Sequence, residues 1–171
     1  MVSVHPECRA KRGVSKESGN HPARTETSLR VRAMRYLAQR EHSRAELHAK
    51  LLPHVQEGED LDAVLDDLEK RGWLSDERAA TQMVHAKRSR FGTQRITHEL
   101  RQKGITEELI SAALPELKDS ELAAAREVWK KKFGTAPQDE KQKAKQVRFL
   151  QSRGFSMEAI FKVLRLDGAG E

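Results

Sequence analysis

The chain has 171 residues, of which 34% are charged and only 5% aromatic, and it carries a net charge of +6. Mean hydropathy is −0.76, and no apolar run approaches the roughly 18 residues of a membrane-spanning helix, so a soluble protein without membrane contact is expected. Cys8 is the only cysteine, which precludes an intrachain disulfide and fits a reducing cytoplasm. A pI near 9.6 favours nucleic acid or acidic protein surface as partner.

Residues 1–28 include Pro6, Gly13, Gly19 and Pro22 without sustained periodicity, and read as a disordered leader. From Leu29 the pattern is helical, with Val31, Met34, Leu37 and Ala38 as one apolar face. Ser43 with Glu46 forms a capping box that opens a helix burying Leu47 and Leu51, closed by Pro53. After Gly58 a third helix buries Leu61, Val64, Leu65 and Leu68 and stops near Gly72. Ser75 caps a fourth, running to about Ser89 on Ala79, Ala80, Met83 and Val84. Phe91-Gly92 turns the chain, and Thr93 caps a helix with Ile96 and Leu100 inward that Gly104 ends.

Thr106 caps the sixth helix, on Leu109, Ile110, Ala113 and Leu114, which should stop before Pro115. A seventh runs from about Asp119 to Lys132 on Leu122, Ala125 and Trp129. After Phe133-Gly134 the eighth begins near Gln138 and buries Ala144, Val147 and Leu150. Ser156 opens the last, on Ile160, Val163 and Leu164, and residues 167–171 form a flexible tail. No segment alternates with a period of two, so no sheet is expected.

One apolar skeleton recurs three times. Leu51, Leu61, Val64 and Leu65 return as Leu100, Ile110, Ala113 and Leu114, then as Leu150, Ile160, Val163 and Leu164, at a spacing of 49 to 50 residues. Such a period marks stacked supersecondary units. The expected fold is all-α: nine helices in three tandem three-helix repeats, at 29–74, 75–117 and 118–166, forming an elongated array. Arrays of this kind offer extended binding surfaces more often than catalytic clefts.

Enzyme signatures are missing. The chain has no phosphate-cradling glycine loop, no His-Glu-x-x-His pair and no nucleophile elbow. Its seven histidines are scattered, and Cys8 in a polar leader is a poor nucleophile. Asp66, Asp67 and Glu69 read as the solvated side of a helix rather than a metal site. No catalytic, cofactor-binding or metal-binding residue is therefore assigned. Trp129 belongs with Leu122 and Ala125 in a core rather than on a base-stacking platform, and Trp73 is placed at a junction between units.

Charge is polarised along the chain. Residues 57–69 hold seven acids and no base, whereas 87–103 and 130–153 are strongly basic. The candidate binding residues are Lys87, Arg88, Arg90, Arg95, His98, Arg101, Lys103, Lys130, Lys131, Lys132, Lys141, Lys145 and Arg148. Gln94, His98 and Arg101 share one helix face opposite Ile96 and Leu100, and Lys141, Lys145 and Arg148 form a similar outer stripe. A ridge of this kind suits a phosphate backbone or an acidic protein groove. Base-specific reading is disfavoured, because the third helices of the first two units present Asp62, Asp66 and Asp67, then Glu107 and Glu108, where a recognition helix needs donors.

Several local motifs together resemble one family, the RecX proteins that regulate the RecA recombinase. They are Tyr36-Leu37, Arg40 and Ser43-x-x-Glu46-Leu47-x-x-x-Leu51; Gly72-Trp73-Leu74-Ser75-Asp76 with Ala79-Ala80; and Gly92-x-x-Arg95-Ile96-x-x-x-Leu100-x-x-x-Gly104-Ile105. The resemblance spans 29–166 and departs at Ala79, where the family usually has an aromatic. It implies a curved, elongated molecule that binds in the groove of the RecA–single-stranded DNA filament. There it restrains filament growth or promotes disassembly, lowering strand exchange, ATP hydrolysis and coprotease activity. The expected partners are that filament and, weakly and without sequence preference, single-stranded DNA; the expected state is a monomer without cofactor. In this picture the basic ridge meets acidic filament surface or phosphate, and the acidic third helix of the first unit meets basic protein. A nucleic-acid-binding module acting without RecA, and an RNA- or ribosome-associated helical protein, remain open alternatives.

Overall fold

The computed structural model describes residues 28–166. Among these there are eight α-helices and no strand: α1 (Leu29–Leu37), α2 (Arg44–Leu51), α3 (Leu61–Lys70), α4 (Asp76–Lys87), α5 (Thr93–Gln102), α6 (Glu107–Lys132), α7 (Glu140–Ser152) and α8 (Met157–Leu166), with a 3-10 turn at Leu52–His54. The sequence-expected leader, apart from Ser28, and the tail 167–171 lie outside the described residues.

Three hydrophobic cores follow one another along the chain. Helices α1–α3 close over Leu29, Ala33, Leu47, Leu51, Leu65 and Leu68. Helices α4, α5 and the start of α6 close over Ala80, Val84, Ile96, Leu100, Ile110 and Leu117. The rest of α6 packs with α7 and α8 over Ala125, Trp129, Leu150, Phe155, Ile160 and Val163. Leu51, Leu100 and Leu150, which share a repeat position, are all fully buried. Each such leucine contributes about 1.5–3 kcal/mol by leaving water, so the repeated skeleton is a repeated core.

The two joints between successive units are built alike. In the first, the Ser43 hydroxyl donates to the Lys103 carbonyl at 2.5 Å, and the Asp76 carboxylate accepts the Arg44 N–H at 2.7 Å. In the second, the Gly92 and Gln94 N–H groups donate to the Arg153 and Gly154 carbonyls at 3.0 and 3.1 Å, and Glu121 accepts the Thr93 N–H at 2.9 Å. In both, a later unit seats its Lys/Arg-Gly turn on the N-terminus of the earlier unit's second helix. An acid from the later unit's first helix then caps the same N-terminus, where the helix dipole favours negative charge. Glu121, itself buried, also accepts from the Ser156 N–H and hydroxyl.

The structure departs from the sequence expectation at several points. The expected sixth and seventh helices are one, so there are eight rather than nine: α6 runs 26 residues straight through Pro115. Proline removes a hydrogen bond to the carbonyl four residues back, but Pro115 and Ser111 are both exposed, so the break falls on the solvent side of the helix and not in a core. Burial of Ile110 and Leu117 in one core and of Ala124, Val128 and Trp129 in the next keeps the rod helical. The boundary expected after residue 117 therefore falls inside a helix shared by the second and third units.

On α1 the buried face is Leu29 and Ala33, whereas Val31 and Met34 are exposed. The N-cap of α5 is Gly92, not Thr93, because the Gly92 N–H is bound into the next unit. The capping box at Ser43 is half made. Its side chain accepts the Glu46 N–H at 3.1 Å, but the Glu46 carboxylate turns to Arg40 and Lys103. On α7 the buried partner of Leu150 is Gln146, while Ala144 is exposed. The Gln146 amide oxygen accepts the Trp129 indole N–H at 2.7 Å, and its nitrogen donates to the Thr135 carbonyl at 3.2 Å, which makes the burial of a polar side chain tolerable.

Candidate interaction surface

The structure divides the basic residues into two populations. In the second unit most are internally neutralised. Lys87 and Arg95 share Glu99, Arg88 pairs with Glu116, Arg101 with Glu107, and Lys103 reaches back to Glu46 of the first unit at 2.7 Å. Partial burial pushes the Glu99 carboxyl up, but hydrogen bonds from Lys87 and Arg95 outweigh it and hold it below the usual carboxylate range. Glu46 obeys the same balance more strongly. Burial raises it, yet the hydrogen bonds and charges of Arg40 and Lys103 bring it down to about 2.

The second population is free. Arg90, Lys130, Lys131, Lys132, Lys141, Lys145 and Arg148 are exposed and have no acidic partner among the described residues. His98 is also exposed, bonded only to Gln102 of its own helix. Lys141, Lys145 and Arg148 stand on the side of α7 opposite Leu150, as their spacing requires. This face of the third unit therefore presents uncompensated positive charge, whereas the stripe on α5 is largely paired.

Sequence reasoning missed three features. Arg153, in the turn after α7, closes on the Phe91 ring at 5.7 Å together with Arg95 at 4.3 Å and Lys87 at 5.9 Å, placing a cationic cluster across the second joint. The only signal for it was the match between Arg153-Gly154 and Lys103-Gly104. The acidic side of α3 is not an unpaired surface: Asp62, Asp66 and Glu69 all pair with Arg44, and Asp67 pairs with Arg30 and Arg71. Trp73 does not pack one unit on the next. It is 42% exposed, beside the guanidiniums of Arg30 and Arg71. Trp129, by contrast, is 2% exposed in the third core, as expected.

No group of three or more His, Cys, Asp or Glu side chains among the described residues is placed to hold a metal ion. No helix among them is long and apolar enough to cross a membrane.

Comparison with known proteins agrees with this architecture. Residues 75–114 match the family model for the second three-helix domain of RecX, and residues 119–164 match that for the third. The chain is 48% identical over 143 residues to the regulatory protein RecX of Leptothrix cholodnii, covering 84% of this chain and 91% of that one. It is 44% identical over 149 residues to regulatory protein RecX of Herminiimonas arsenicoxydans, covering 87% and 99%. In fold it is similar to the crystal structure of RecX from Lactobacillus salivarius, with a TM-score of 0.68 at 16% identity over 84% of this chain and 96% of the other. The chain belongs to the RecX family of regulatory proteins.

Proposed function

We propose that this chain binds the RecA–single-stranded DNA filament and inhibits recombinase, ATPase and coprotease activities by limiting filament growth or stability. Family membership supports the regulatory part of this reading. The single observation that carries the contact is the stripe of Lys141, Lys145 and Arg148 on α7, which with Lys130–Lys132 at the end of α6 is exposed and has no acidic partner among the described residues. A filament of nucleoprotein offers phosphate and acidic protein within one groove, and multivalent engagement of adjacent protomers biases the interface between them. The acids of α3 are a weaker contact than their sequence implies, since Asp62, Asp66 and Glu69 share Arg44, whose single charge offsets one of the three. Lys87, Arg95 and Arg153 gather around Phe91, and because the first two share the single charge of Glu99, net positive charge continues onto the second unit. The chain acts as a cytoplasmic monomer, by binding and without a cofactor, in the regulation of DNA repair by homologous recombination.

The test is titration of the protein into RecA assembled on single-stranded DNA while ATP turnover is followed. Loss of turnover at substoichiometric protein supports the reading, and unchanged turnover at excess protein refutes it. The same free cations favour a second reading, in which the chain binds nucleic acid non-specifically and acts without RecA. Inhibition that disappears when DNA sites are saturated with excess oligonucleotide would favour that second reading.

A further inference from the structure

We infer that Trp73, framed by Arg30 and Arg71 and continued by Val31, Met34 and Arg35 of α1, is a second docking surface that takes an acidic, partly apolar segment of a protein partner. The inference deepens the filament reading above and rests on it. Trp73 is 42% exposed, and helix α1, which carries Arg30, leaves Val31 45% and Met34 36% exposed. Large apolar groups left in water forgo free energy that burial would recover. Clustered exposure of this kind marks interaction sites.

The indole is held in place. The Arg30 and Arg71 guanidiniums lie 5.4 and 5.5 Å from its ring centroid, and one carboxylate, Asp67, ties both, at 3.2 and 2.9 Å. A tryptophan accompanied by two arginines matches the composition of interface hot spots, and its ring has little side-chain freedom to lose on binding. On α1, Met34 stands one turn from Arg30, and Arg35 one turn from Val31, so two adjacent rows each carry one apolar and one cationic group.

Charge selects the partner. Helix α1 contains no acid, Arg35 has no acidic partner among the described residues, and Asp67 alone faces Arg30 and Arg71. The surface therefore attracts carboxylates and repels a basic segment. Two features favour protein over nucleic acid. The ring against which a base would stack already carries two guanidiniums, and Val31 and Met34 are aliphatic groups with nothing to offer a phosphate. The surface also lies on a different unit from the α7 ridge, so one partner engaged at both points gains by multivalency.

The test uses Trp73→Ser and Met34→Glu in the full chain, each checked for unchanged thermal unfolding. Both are titrated against RecA assembled on oligo-dT with a non-hydrolysable ATP analogue, and separately against oligo-dT alone. The expected result is a loss of at least about tenfold in affinity for the filament, with affinity for bare oligo-dT unchanged. Filament affinity within about twofold of the parent for both variants overturns the inference. An equal loss on bare oligo-dT also overturns it and assigns the face to nucleic acid. A parent chain that binds no filament overturns the filament reading itself, whereas a binding parent with unaffected variants overturns this inference alone.

Discussion

Gly154 and Arg95 meet backbone to backbone across the joint between the second and third units. A β-carbon on Gly154 would lie 2.4 Å from the Arg95 β-carbon and 2.5 Å from its amide nitrogen, and Gly154 has a φ of +80°. Gly154→Ala should therefore lose about 2–4 kcal/mol, combining left-handed strain with overpacking against rigid backbone. Gly72 provides the control, with φ at +70° and nothing within 4 Å of its missing side chain. Gly72→Ala should cost only about 1 kcal/mol. Urea denaturation of both variants checks the difference, and equal losses would show that the joint is not tightly packed.

Glu46 makes the first joint sensitive to acid. Its carboxyl stands at about 2 in the folded chain because Arg40 and Lys103 overcome the cost of its partial burial. A depressed carboxylate contributes stability that is complete above its unfolded value, near ~4.3, and is lost as pH falls through the folded value. Compared with Glu46→Gln, the parent should be more stable by on the order of 2 kcal/mol at pH 6, an advantage that shrinks from about pH 5 toward pH 2. Denaturation midpoints measured across that range test the sign. An advantage that grows on acidification would contradict it.

A cleft of about 490 Å³ opens at the same joint, lined by Ala79, Met83, Ala86 and Ile105 on its apolar side and by Arg40, Glu46 and Lys103 opposite. Ala79→Phe would set a ring into this space without displacing backbone. A gain of about 1 kcal/mol, seen as a rise of about 2–4 °C in melting temperature, is expected from filling it. A lower melting temperature would mean that the cleft is too open to bury the ring.

Reversal of Lys141, Lys145 and Arg148 to glutamate tests the basic face directly. None of the three has an acidic partner to lose among the described residues, so helix content and melting temperature should hold. Inhibition of RecA ATP turnover should weaken by at least about tenfold, and its salt dependence should flatten by up to roughly 0.7–0.9 in log–log slope per phosphate contact removed. A triple variant that inhibits like the parent at every salt concentration would rule this face out as the contact.

Much of the architecture is legible along the chain because the forces that set it are local or periodic. Leucine and isoleucine spacing places Leu51, Leu100 and Leu150 in cores, and Ser43 and Ser75 cap their helices with side chains adjacent in sequence. Pro115 misled that reading, since proline usually ends a helix and only two flanking cores make it worthwhile to continue. Gln146 was unreadable as an interior residue because its partners, Trp129 and Thr135, are separated from it by a turn.

Composition and the triplicated apolar spacing by themselves determine an all-helical chain of three cores, and local motifs around Ser43, Gly72 and Gly92 carry the resemblance to its family. Which cations remain available was decided only in three dimensions. Lys103 is paired with Glu46, 57 residues away, and Arg44 gathers Asp62, Asp66 and Glu69 from another helix, while Lys141 and Lys145 find no carboxylate among the described residues. Burial follows from a residue's own periodicity, but compensation of a charge depends on which groups the packed helices bring within a few ångströms.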